Sequence, residues 1–216
     1  MYQAAAKSIR SQFERQLQDI QNDVLRMGAL VEKSCLFAHQ ALCNRDLAAL
    51  DNLNDQQIDV YYRQIESDCL KLLALQAPVA NDLRLIGTIM QLVRDLERIG
   101  DYAEELGGVA LKLLPYPPLD CLPDVEQMSN ICRAMLTMSL GALTDLDVEL
   151  GRAMKVKDDE VDNYYARLYN TLAHHDHPGP VEPLLLMTLA IRALERMADH
   201  ATNIGNRISY IVTGQR

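Results

Sequence analysis

Arg94-Asp95-Leu96-Glu97-Arg98-Ile99-Gly100-Asp101 returns 98 positions later (Asp199 minus Asp101) as Arg192-Ala193-Leu194-Glu195-Arg196-Met197-Ala198-Asp199. In both copies the apolar residues sit three and four apart, which is the period of one helical face. In both, a glutamate and an aspartate stand four apart on a second face, separated by about 6 Å of helix rise. A stretch that repeats its apolar and its acidic face together marks a duplicated helical unit.

The duplication extends outward in both directions. Met128 to Leu143 reads like Met27 to Leu42, Asp147 to Tyr165 like Asp46 to Tyr62, and Leu184 to Gly205 like Ile86 to Gly107. The offset is 101 for Met128 against Met27 and for Asp147 against Asp46, 103 for Asp162 against Asp59, and 98 for Asp199 against Asp101. Two residues are therefore gained near the start of the fifth helix and five lost around His174 to Pro183, a connection where changes of length cost little.

Helices are predicted from Ile9 to Leu42, from an N-cap at Asp46 to about Leu75, and from about Asp82 to Leu114, with three more beyond the breaker Pro115-Tyr116-Pro117-Pro118. Pro78 ends the second helix. The fold class is all-α: six helices forming two tandem three-helix bundles related by a pseudo-two-fold, residues 1–115 and 116–216. Composition agrees, since Trp is absent and aromatics make up 5% of the chain while Leu, Ala, Met, Gln and Arg are plentiful. At 216 residues and 49% hydrophobic content the chain can bury a core without staples.

A net charge of −9 argues against nucleic acid as a partner, which requires clustered Lys and Arg. Five cysteines, Cys35, Cys43, Cys69, Cys121 and Cys132, are odd in number and lack a Cys-x-x-Cys pairing, as expected of reduced thiols in a cytoplasmic protein. The opening Met1-Tyr-Gln-Ala-Ala-Ala-Lys-Ser8 has no apolar signal stretch. The most apolar run, Val181 to Leu194, is interrupted by Glu182, Pro183 and Arg192 and falls short of the roughly 20 residues of a spanning helix. Any membrane association is expected to go through partners.

Each half carries one Asp-x-x-x-Asp on its second helix and one Glu-x-x-x-Asp on its third. These are Asp55 with Asp59, Glu97 with Asp101, Asp158 with Asp162, and Glu195 with Asp199. Five more acidic pairs share the spacing (Asp19/Asp23, Asp51/Asp55, Asp101/Glu105, Asp120/Asp124, Asp145/Glu149). Chance gives about four in all for 30 acids in 216 residues, and like charges at this spacing destabilise a helix slightly.

Repetition in register therefore carries more weight than number. Antiparallel neighbours would bring four carboxylates together in each half, and such a set needs cations. Oxygen-only ligands suit Mg²⁺, Mn²⁺, Ca²⁺ or iron. The alternative is that Arg94, Arg98, Arg192 and Arg196 neutralise the acids in surface ion pairs worth about 0–1 kcal/mol each. The residues alone leave both readings open.

Other constellations are weaker. Neither Glu97 nor Glu195 has a His three residues on, so the Glu-x-x-His pattern of di-iron bundles is missing. Cys35 with His39 supplies at most one side of a tetrahedral site. His174, His175 and His177 read as a polar loop and His200 as a ligand or supporting residue whose counterpart is Tyr102. No phosphate loop or nucleophile elbow occurs, which points to a non-enzymatic protein.

Pro78-Val-Ala-Asn-Asp-Leu-Arg84, Leu96-Glu-Arg-Ile-Gly-Asp-Tyr-Ala103, Leu194-Glu-Arg-Met-Ala-Asp-His-Ala201 and the opening Met27-Gly-x-x-Val-Glu32 together resemble the signature segments of the PhoU family over nearly the whole chain. The resemblance implies a negative regulator of phosphate-starvation signalling and phosphate uptake that links the ATPase of a phosphate ABC transporter to a sensor histidine kinase. It implies a homodimer and metal ions (iron, zinc, magnesium or manganese) held by Asp55, Asp59, Glu97, Asp101, Asp158, Asp162, Glu195 and Asp199. The family often has Asn four residues after the second acid; here Asn203 keeps it and Glu105 does not, so one site is expected to be more acidic. A metal-dependent enzyme or an ion-storage bundle is the alternative that the same carboxylates allow.

Overall fold

The computed structural model describes residues 2–53, 55–174 and 179–215. Six α-helices account for its regular structure: α1 (Tyr2–Cys43), α2 (Asp55–Gln76), α3 (Ala80–Leu113), α4 (Leu122–Asp145), α5 (Val148–Ala173) and α6 (Glu182–Thr213). No strand occurs among the described residues, and none of the helices is long and apolar enough to cross a membrane.

Within each half all three helix pairs touch, α1 with α2 and α3, α4 with α5 and α6. Between the halves like meets like, α1 packing on α4 and α3 on α6. Individual contacts obey the same symmetry. The space beside Gly28 on α1 is filled by Leu140 on α4, and the buried His39 on α1 is hydrogen-bonded to Ser129 on α4 at 3.0 Å. Adding the repeat offset of 101 turns Gly28 into Ser129 and His39 into Leu140, so one contact is the two-fold image of the other. This is the isologous geometry of a C2 dimer, built within one chain.

The seam runs through a single core. Met27, Val31, Ile58, Ile86, Leu92, Leu96, Met128, Met135 and Ile191 are all fully buried and belong to one continuous cluster. Complete burial of side chains this large is worth roughly 1.5–3 kcal/mol each. The expected division at 115/116 falls in the connection between α3 and α4, which is tied down from outside it: Arg45 donates to the carbonyls of Tyr116 (2.9 Å) and Leu114 (2.5 Å), and the Tyr116 hydroxyl donates to Glu182 (2.5 Å).

The expected helix starting at Asp46 is a correction. Asp46 does cap, accepting from the Ala48 N–H, but what it caps is a short 3-10 turn, Leu47–Asn52, and α2 begins only at Asp55. Its repeat partner Asp147 accepts from the N–H groups of Glu149 and Leu150 and caps α5 itself. Equal capping chemistry thus opens unequal elements, a 3-10 turn in the first half and α5 in the second.

Candidate functional site

α2 packs along α3, and α5 along α6. Asp55 and Asp59 occupy the first turns of α2, Glu97 and Asp101 the middle of α3. These four converge. Burial raises the Asp55 carboxyl above its ordinary range, and the charges of Glu104, Asp101 and Asp59 raise it further. Glu97 is raised by burial and then by Asp101, Asp59 and Asp55, while Arg98 pulls the other way; Asp101 is raised by burial and by Asp59 against the pull of Arg98.

The second half repeats the arrangement. Asp162 is raised by burial, then by Asp158, Asp199 and Asp159 against the pull of Lys155. Glu195 is raised by burial, then by Asp199 and Asp162 against Arg196 and Arg192. Asp158, Asp159 and Asp162 each offer an oxygen within 4.8 Å of the others.

Three participants escaped the sequence reading. Glu104, rather than the repeat-breaking Glu105, is the additional acid that bears on Asp55. Asp159 joins the second cluster, and Lys155 reaches both Asp158 (2.8 Å) and Asp159 (3.1 Å). Each lies one helical turn from a predicted residue or beside one, a signal that a search restricted to repeated positions does not register. Asn203, the other member of the predicted difference, lines a polar groove with Gln91, Asn206 and Arg207.

The arginines do part of what the alternative requires. Arg98 bonds Asp101 at 3.0 Å and approaches Glu97 at 3.6 Å, Arg196 bonds Asp199 at 3.0 Å, and Arg63 bonds Asp59 at 3.0 Å. Among the described residues they leave one buried carboxylate oxygen in each half without a hydrogen-bond partner, Oδ1 of Asp55 and Oε2 of Glu195. A buried carboxylate oxygen without a donor costs more than the roughly 1–3 kcal/mol of a neutral polar group. A hard cation removes that cost, and an all-oxygen donor set of this kind fits one.

Two of the histidines have hydrogen-bond partners outside the acidic clusters. His174 Nδ1 is hydrogen-bonded to the Asn170 carbonyl; His175 and His177 lie outside the described residues. His200 donates from Nδ1 to Asp95, a contact between the halves. Cys35 and Cys69 are buried, with thiols pushed up by burial to about 12, as packing residues rather than ligands.

A pH dependence follows. Asp55, Glu97, Asp101, Asp162 and Glu195 all bind protons more readily folded than unfolded, so the stability they contribute is present at low pH and lost as pH rises through their raised values. In EDTA the melting temperature is expected to rise as pH is lowered from neutrality toward the raised carboxyl range, which lies above the ordinary carboxylate values, before acid denaturation sets in. Mn²⁺ at pH 7 is expected to raise it by the same relief of repulsion, and less so at the lower pH. Calorimetric melts with and without Mn²⁺ check both; a melting temperature that falls throughout on acidification opposes the expectation.

Two stretches of the chain, residues 24–109 and 125–208, match the PhoU domain. A Synechocystis sp. protein described as a phosphate-specific transport system accessory protein PhoU homolog is 55% identical over 210 residues, spanning 96% of this chain and 94% of its own. The crystal structure of PhoU from Pseudomonas aeruginosa aligns with a TM-score of 0.91 at 32% identity, covering 94% of this chain and all of that one (100%). That of the phosphate transport system regulatory protein PhoU from Streptococcus pneumoniae aligns at 0.86 and 28%, covering 94% and 98%.

Proposed function

Because the chain belongs to the PhoU family, we propose that it is a regulator of phosphate transport rather than a catalyst, acting in the cytoplasm as a dimer and reaching the membrane through its partners. The observation that carries the reading is the agreement of both repeats with one domain family, together with 55% identity, over 96% of the chain, to a relative described as a transport-system accessory protein.

In this reading the regulator restrains phosphate uptake and starvation signalling when phosphate is plentiful, engaging the transporter ATPase and a sensor histidine kinase. Asp55, Asp59, Glu97 and Asp101 would hold iron, zinc, magnesium or manganese in the first half, and Asp158, Asp162, Glu195 and Asp199 in the second. The bound ion supplies positive charge. The chain supplies two facing helices per site, a buried carboxylate oxygen in each that no arginine satisfies, and a packed seam between the halves. Changing the charge of those faces changes which partner surface they complement.

Deleting the gene is expected to switch on alkaline phosphatase and other starvation-induced genes in phosphate-rich medium. Unchanged expression in the deletion strain opposes the reading. The pair Glu97→Gln and Glu195→Gln, in a protein that still folds, separates the role of the carboxylates from that of the scaffold.

A further inference from the structure

Asp55 and Asp158 are equivalent in the repeat, Asp158 minus Asp55 being 103, yet their surroundings differ. In the first half the 3-10 turn interrupts the chain and α2 starts at Asp55 itself. In the second half α5 starts at Val148, so about three turns of helix precede Asp158. Helical continuity is what places Lys155 one turn before the acidic pair, with its ammonium 2.8 Å from Asp158 and 3.1 Å from Asp159. The first-half position equivalent to Lys155 is Asn52, at the end of the 3-10 turn.

The consequence falls on Asp158, the most buried carboxylate of the second cluster. The Asp158 side chain is 8% exposed and its charge is met by Lys155, whereas Oδ1 of Asp55 is buried and unpartnered. Arg98 and Arg196 are equivalent and do not separate the halves. Arg63 and Lys155 are alike in their own exposure, 66% and 63%, and what separates the pairs is the carboxylate: Asp59 is 37% exposed, so water and salt weaken its pair, whereas Asp158 is 8% exposed.

An ammonium brings three N–H donors on a flexible stem, so it occupies the carboxylate lone pairs that a metal ion needs. We propose that the two acidic sites are unequal: the first fills at low metal concentration, and Lys155 is a built-in counter-ion that keeps the second closed until metal displaces it. The inference rests on the metal reading above. Glu195 Oε2, buried and unpartnered beside Asp162 and Asp199, keeps the second site competent once Lys155 swings out. One chain would then report two ranges of metal concentration.

Titrating the metal-free, full-length protein with Mn²⁺, with the free ion followed by electron paramagnetic resonance, tests this. Two classes of site are expected, separated by about tenfold or more in Kd. Lys155→Met is expected to tighten the weaker class by about tenfold and leave the tighter one unmoved. Lys155→Arg is expected to keep the wild-type pattern, and Asp55→Asn to remove the tighter class. Anomalous scattering from crystals grown with one equivalent of Mn²⁺ should place the ion among Asp55, Asp59, Glu97 and Asp101. A single class of equal sites, or a weaker class that Lys155→Met does not move, overturns the inference and leaves the metal reading standing. No Mn²⁺ bound by any form of the protein overturns both.

Discussion

Asp95→Ala is expected to destabilise the fold by about 3–5 kcal/mol, the usual cost of removing one partner of a buried charge network. The Asp95 side chain is 6% exposed, and both of its oxygens are committed across the α3–α6 seam, Oδ1 to His200 Nδ1 at 2.9 Å and Oδ2 to Arg207 Nε at 2.5 Å. Arg207 also donates to Gln91. Without the carboxylate, the Arg207 guanidinium keeps a single neutral acceptor in a seam built for an anion. Against a total stability of about 5–15 kcal/mol, the loss is a large fraction.

Urea denaturation of the single and double variants checks the assignment. Asp95→Leu with Arg207→Leu is expected to cost much less than the two single changes summed, because it removes the charge and its counter-charge together. A double variant as unstable as the sum would mean that the residues act through packing alone.

Asp95 also marks a limit of what the chain discloses as a string. Its counterpart in the repeat is Ala193, so comparing the halves, which singles out Glu97, Asp101, Glu195 and Asp199, passes over it. A residue that serves the seam between two copies needs to be present only once. The pairing of α1 with α4 and of α3 with α6 is similarly hidden: apolar periodicity states which face of a helix is buried, not against what. The helix count, the apolar stripes and the meeting of the repeated acidic pairs were legible because each is a local pattern stated twice. Lys155 was not, since its reach to Asp158 depends on α5 running unbroken through that point, whereas the equivalent stretch of the first half is a 3-10 turn.

The same difference governs a second large effect, expected at Gly151. A Cβ at this position would stand 3.0 Å from the carbonyl oxygen of Gly205 on α6, which is backbone and has no rotamer to yield. In the first half the equivalent of Gly205 is Gly107, and what lies over it is the 3-10 turn: a Cβ there would stand 2.7 Å from the Leu53 side chain and 3.0 Å from that of Leu50, both able to turn aside. Replacing a helical glycine by alanine returns up to about 1 kcal/mol of propensity, and that gain decides the sign only where the neighbour moves. Gly107→Ala is therefore expected to be close to neutral. Gly151→Val, with a branched side chain and no room to open, is expected to cost about 1–3 kcal/mol or more by forcing α5 and α6 apart. At about 2–4 °C per kcal/mol for a protein of this size, calorimetry should resolve the two variants. Because Asp158 and Asp162 travel with α5, opening this seam also moves them away from Glu195 and Asp199 on α6, so a folded Gly151→Ala protein should show its weaker Mn²⁺ class weakened further and no change in the tighter one.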